Sequence, residues 1–199
     1  MPLSREGRGT GWALAVDIVN TWDEYPHPMD LIDGPADVRT VLDWHGLHEA
    51  ARMVEPRDAA RLRRLRTRLE RVFDAAGEDE AVRLLNELLA EHGTPPSLER
   101  AGDGWHLRAW PAESEGLRTA AALAAFGLLE TIRDLGWARL GRCAGAPCRC
   151  AYVDRTRNRS RRFCSTLCAD RVAQANARRR RAAAPRRTRN SEALQRQSR

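Results

Sequence analysis

Five cysteines, at positions 143, 148, 150, 164 and 168, fall within 26 residues, while the first 142 residues contain none. Thiols concentrated in this way oblige that stretch to fold around something they share. Cys143 and Cys148 enclose Ala-Gly-Ala-Pro, Cys164 and Cys168 enclose Ser-Thr-Leu, and fifteen residues separate the two pairs. Two short-spaced pairs joined by a loop are the arrangement that wraps four thiolates tetrahedrally around one zinc ion. No secretory signal is visible, so the chain is expected in the reducing cytoplasm, where clustered cysteines serve as metal ligands rather than disulfides. Cys150 either stands by or substitutes for Cys148, and the 148 spacing makes the more regular knuckle. With four thiolates no coordination position stays open for an activated water, so the metal is expected to be structural. Gly145 is read as permitting a left-handed or tight turn between the first two thiolates, with Pro147 stiffening it.

Four thiolates around a divalent cation leave a charge of minus two, and the sequence surrounds them with Arg142, Arg149, Arg161 and Arg162. Ser165 or Thr166 is placed to cap a helix starting at the second pair, turning its positive end toward the sulfurs. The stretch from 136 to 182 holds few large apolar residues, so metal binding is expected to supply most of its folding energy, on the order of 10 to 16 kcal/mol in small zinc modules.

All 34 basic residues are arginine. Residues 1–148 carry 18 arginines against 24 acids, and residues 149–199 carry 16 against 3, so a mildly acidic body is joined to a strongly basic end. That asymmetry is the footprint of a nucleic-acid-binding end on an ordinary globular domain, although a solvated basic tail produces part of it. Between the cysteine pairs lies Asp-Arg-Thr-Arg-Asn-Arg-Ser-Arg-Arg-Phe, with Arg157, Arg159, Arg161 and Arg162 as candidate phosphate contacts. After Cys168 a helix is expected, on which Arg171, Gln174, Arg178 and Arg181 share one face and could meet phosphates or base edges. Nucleic-acid binding is favoured over a merely solvated basic helix because charge, a rigid root and helical order coincide there.

The remaining 142 residues read as mainly helical. Gly11 to Asn20 is a short helix or strand, and residues 23 to 35, broken by Pro26, Pro28 and Pro35, are expected to form a surface loop. Helices follow from Ala36, from Pro56 to Gly77 and from Glu78 to Gly93; residues 97 to 110 show the alternation of a β-hairpin around Gly102-Asp103-Gly104. The most apolar stretch, Glu115 to Leu135, is the expected central helix. The fold class is thus mainly α, a helical domain over 1–135 with a small hairpin, then a four-cysteine finger over 136–182 and a basic disordered tail over 183–199. No apolar run approaches the roughly 20 residues of a membrane span.

Asp17, Asn20, Thr21, Trp44 and His48, with His45 nearby, form a candidate ligand pocket in the helical domain. The plainer reading, favoured here, is that Asp17 and Asn20 satisfy backbone groups at a turn. His45-x-x-His48-Glu49 lacks the His-Glu-x-x-His spacing of a metalloprotease, and no phosphate loop, nucleophile elbow or zinc-deaminase signature occurs, so no catalytic residue is assigned.

The stretch Arg-Cys-Ala-Gly-Ala-Pro-Cys onward, through Tyr152-x-Asp154, Arg157-Asn158-Arg159-Ser160-Arg161-Arg162 and Cys164-Ser165 to Cys168-Ala169-Asp170-Arg171, resembles the CGNR zinc finger of bacterial proteins. The naming Cys-Gly-Asn-Arg is altered at its middle two positions, which puts an acid at Asp170 where the family has asparagine. Residues 14–21, Leu-Ala-Val-Asp-Ile-Val-Asn-Thr, with Leu42-Asp43-Trp44, resemble the ABATE domain that accompanies this finger. The resemblance implies a helical domain with a sensing role joined to a treble-clef-like, zinc-dependent finger in a stress-induced transcription regulator that binds DNA. Two rivals stay open at this stage: an RNA- or ribosome-associated protein, and an interaction adaptor with a purely structural finger. The residues fix neither the effector of the helical domain nor the oligomeric state.

Overall fold

Every residue of helix α1 (Gly11–Val19) is buried, which is why its sequence carries no polar face. A continuous apolar run suits a buried strand as well as a buried helix, hence the ambiguity in the sequence. In the computed structural model, which describes residue 3, residues 6–102 and residues 104–183, α1 packs chiefly against the long helix near residue 126. That helix, α6 by its place in the chain, is Leu117–Leu135. The two meet through glycine. A Cβ on Gly11 would lie 2.1 Å from the Leu123 carbonyl oxygen and one on Gly127 2.3 Å from the Trp12 nitrogen, so larger residues would push the backbones apart.

Helices α2 (Pro35–Trp44), α3 (His48–Arg52), α4 (Asp58–Phe73) and α5 (Glu78–His92) complete the helical body. On α4 the apolar stripe Leu62, Leu65, Leu69, Val72 and Phe73 is buried as its spacing predicts. Arg66 breaks the pattern: it is buried, and its guanidinium donates to both Asp30 carboxylate oxygens, at 2.7 and 2.8 Å, and to Thr21 Oγ1 at 3.1 Å. This pairing corrects the expectation of a plain loop over 23 to 35. Strands β1 (Trp22–Asp23) and β2 (Met29–Asp30) pair antiparallel there, too short to leave a period in the sequence and held in place by Arg66 and Arg63 on Asp30.

The expected hairpin is present as β3 (Ser97–Ala101) and β4 (Gly104–Arg108), in antiparallel register with Leu98 opposite Leu107 and Arg100 opposite Trp105. A third hairpin, β5 (Leu140–Arg142) with β6 (Ala151–Val153), opens the cysteine region, and helix α7 (Thr166–Ala183) closes the described chain. Residues 184–199, most of the expected tail, lie outside the described residues, and Ala183 is still helical.

Here the structure departs from the picture of a coreless carboxy-terminal module. Ala151 and Val153 are each 1% exposed and belong to the same apolar cluster as α1, with Leu140 and Trp137 packed against it. The β5–β6 hairpin therefore rests on the helical body, whereas among the described residues none from the knuckle, the arginine loop or α7 joins that apolar cluster. Two small residues and a half-buried leucine give too weak a sequence signal to show this.

Candidate metal centre and nucleic-acid surface

The turn between β5 and β6 delivers Cys143 and Cys148, and the start of α7 delivers Cys164 and Cys168. Their four sulfur atoms lie within 4.8 Å of one another. Cys164 Sγ is 3.7 Å from both Cys148 Sγ and Cys168 Sγ. A tetrahedron with metal–sulfur bonds of about 2.3 Å has edges of roughly 3.8 Å, so the spacing matches one zinc-sized cation. Cys150 falls outside this quartet. Its carbonyl accepts a hydrogen bond from the Cys143 N–H at 2.9 Å, and hydrogen bonding with Cys148 pushes its thiol up to about 12. Crowded sulfurs resist ionising together: hydrogen bonds with Cys148 and Cys150, then burial, push the Cys164 thiol upward. A divalent cation among them reverses that cost.

Donors converge on the sulfurs. The Gly145 N–H points to Cys143 Sγ at 3.4 Å, and the Arg171 guanidinium lies 3.9 Å from Cys168 Sγ. Ser165 Oγ accepts from the Cys168 N–H at 3.3 Å, so Ser165 rather than Thr166 caps α7. Gly145 is not in the left-handed region, and its surroundings are close. A Cβ there would stand 3.1 Å from the Arg171 guanidinium, which donates to the Gly145 carbonyl, and 3.5 Å from Cys143 Sγ.

Between the cysteine pairs the loop is organised by two residues, Asp154 and Arg161. Asp154 is 4% exposed; its carboxylate accepts from the Thr156 N–H and hydroxyl at 2.8 and 2.6 Å and from the Arg161 N–H at 3.0 Å. Burial raises its pKa, but these hydrogen bonds and Arg139 outweigh that and hold it below the usual carboxylate range. The Asp-x-Thr step was the available signal, since such side chains fold back onto the backbone two residues on. Arg161 donates to the carbonyls of Phe163, Cys164 and Val153 and to Glu6, at 2.7 to 3.2 Å, with its guanidinium over the Tyr152 ring.

The eight candidate nucleic-acid residues thus divide. Arg161 is committed inside the loop, and Arg171 is held by Gly145 with its guanidinium 4.0 Å from the Tyr25 ring centroid, so neither is free as the sequence reading expected. Arg157, Arg159, Arg162, Gln174, Arg178 and Arg181 are exposed. Beyond its first turns α7 is bare: no residue of it is buried.

The candidate pocket residues do not converge. Asp17 is buried and pairs with His45 Nε2 at 2.9 Å, and Thr21 donates to the Ile18 carbonyl at 2.7 Å. Trp44 lies under Arg8, while His48 is exposed and bonded to Asp43 at 3.0 Å. Asn20 spends its amide on the backbone of Ala151, 131 residues away. It satisfies backbone groups as the plainer reading held, but those of the finger strand rather than of its own turn. Nothing in the sequence pairs two positions so far apart.

Among the described residues no helix is long and apolar enough to cross a membrane. No curated protein matches the chain. A family model named ABATE and described as "Putative stress-induced transcription regulator" matches residues 13–134, and a model of the CGNR zinc finger matches residues 139–181. The quartet of sulfurs falls inside the second match, and its donor set suits zinc. With more than half of its length covered by the first, the chain belongs to the ABATE family and carries a CGNR zinc finger.

Proposed function

We propose that the protein is a DNA-binding transcription regulator in which zinc, held by Cys143, Cys148, Cys164 and Cys168, fixes the direction in which α7 leaves the body. Zinc supplies charge neutralisation for four thiolates and a covalent-like staple between the knuckle and the helix. The protein's own residues do the rest: Ser165 caps α7, Arg171 ties it to the knuckle, and Asp154 with Arg161 shapes the arginine loop. No residue is assigned a catalytic role. The working domains are 1–135 and 136–182, with 183–199 adding phosphate affinity without specificity, in the cytoplasm where the DNA lies.

The observation that carries this reading is the division of the arginines. Those at the root of α7 are committed to holding it, whereas Gln174, Arg178 and Arg181 along its length are exposed among the described residues. A fixed cationic helix can follow a groove, and each phosphate it neutralises adds about 0.9 to the slope of log affinity against log salt. The helical domain is the sensor or interaction unit.

Fluorescence anisotropy of labelled duplex DNA across a salt series, with structured RNA as competitor, tests the proposal. Duplex binding with a steep salt dependence, retained against RNA, is expected. Displacement by equimolar RNA would move the assignment to RNA, and absence of binding to either would leave an adaptor.

A further inference from the structure

Helices α4, α5 and α6 border a cavity of about 620 Å³ that none of the candidate pocket residues lines. Arg57, Arg61, Arg64, Arg68 and Arg118 stand around it. Four of these are already matched: Arg57 with Glu55 at 2.5 Å, Arg61 with Asp58 at 3.1 Å, Arg68 with Glu91 at 2.5 Å and Arg118 with Glu115 at 2.8 Å. Arg64 is exposed and has no carboxylate partner among the described residues.

The same cavity has an apolar side. Leu65 and Ala121, 6% and 2% exposed, are contributed by the interior faces of α4 and α6, and Leu117 adds to them. Met53, on the lining as well, is 53% exposed, a large apolar side chain left uncovered at the mouth. The volume lies within the roughly 300 to 1,000 Å³ usual for small-molecule sites, with a charged rim and one apolar side made by Met53, Leu65, Leu117 and Ala121.

We infer that this cavity binds an amphipathic monocarboxylate, whose carboxylate is taken by Arg64 and whose apolar body covers Met53, Leu65, Leu117 and Ala121. Arg64 is the one lining arginine without a carboxylate partner among the described residues and so offers a single positive site: a dianion would crowd the four carboxylates already present, and a neutral molecule would gain nothing from Arg64 beyond what water already gives it. The planar fork of arginine donates two parallel hydrogen bonds to a carboxylate. The inference rests on the reading of the helical domain as a sensor and gives that sensor a site and a ligand class.

Isothermal titration of the full chain with 1-naphthoate and with the neutral 1-naphthalenemethanol tests it. The carboxylate is expected to bind at least tenfold more tightly than the alcohol. Arg64→Gln should bring naphthoate down to the level of the alcohol without changing the alcohol, and Met53→Asp should weaken both at least threefold. Both positions are exposed, and unchanged far-ultraviolet circular dichroism confirms folding of each variant. Equal affinity for the two probes, acetate binding as tightly as naphthoate, or an Arg64→Gln variant that keeps the preference would overturn the assignment. DNA anisotropy on the same preparations separates the two claims: naphthoate binding without any duplex binding removes the regulator and leaves the site, and the reverse removes the site alone.

Discussion

Asn20 and Ala151 bind the helical body to the finger strand through two hydrogen bonds. The Asn20 side-chain amide donates to the Ala151 carbonyl at 3.1 Å, and the Ala151 N–H donates to Asn20 Oδ1 at 2.7 Å. A side chain here does what a neighbouring strand would do for β6. Asn20→Ala leaves both groups of Ala151, itself 1% exposed, without partners and is expected to cost about 2 kcal/mol. Urea denaturation measures this, and an unchanged midpoint would contradict the clamp.

Arginines on α7 are expected to separate by role. Arg178→Ala with Arg181→Ala should lower duplex affinity at least tenfold and flatten the salt dependence by about one to two units, with the fold and metal content intact. Arg171→Ala should instead lower metal retention, because its guanidinium bonds the Gly145 carbonyl and lies 3.9 Å from Cys168 Sγ. Anisotropy and metal analysis on both variants distinguish the two.

Acid sensitivity should centre on Asp30, whose carboxyl is lowered from 3.8 to about 2, first by its hydrogen bonds from Arg66, against an opposing effect of burial. A depressed carboxyl pKa contributes stability that is present above the unfolded value near 4 and lost as pH falls toward about 2. The native protein should therefore lose stability more steeply between pH 4 and 2 than Asp30→Asn, as read from urea midpoints at each pH. Parallel curves would show that the pair contributes nothing.

Chelation should act on only part of the finger. Ala151 and Val153 share the body's apolar cluster, whereas α7 has no buried residue. Hydrogen exchange after metal removal is thus expected to keep protection at β5 and β6 and to lose it from residue 164 onward. Loss of protection across 140–153 as well would show that the hairpin also depends on metal.

What the sequence made legible follows from range. Periodic helices such as α4 and α6, the hairpin over 97–108 and the cysteine quartet are local patterns, and each stands where its spacing puts it. Contacts between distant segments leave no such trace. Asn20 reads as a turn residue until Ala151 is brought beside it, and Arg161 and Arg171 as phosphate contacts until the loop and knuckle enclose them; the pairing of Arg66 with Asp30, 36 residues apart, leaves no local pattern at all. The short β1–β2 pairing was invisible for a related reason, since two residues per strand carry no period.

Metal content of the purified, reduced protein and its cysteine variants tests the central claim most directly. The account predicts one zinc per chain in the native protein and in Cys150→Ser, and loss of stoichiometric zinc with loss of α7 helicity in Cys148→Ser and Cys164→Ser. Native protein without stoichiometric metal, or a Cys148→Ser variant that retains zinc and an ordered α7, would contradict it.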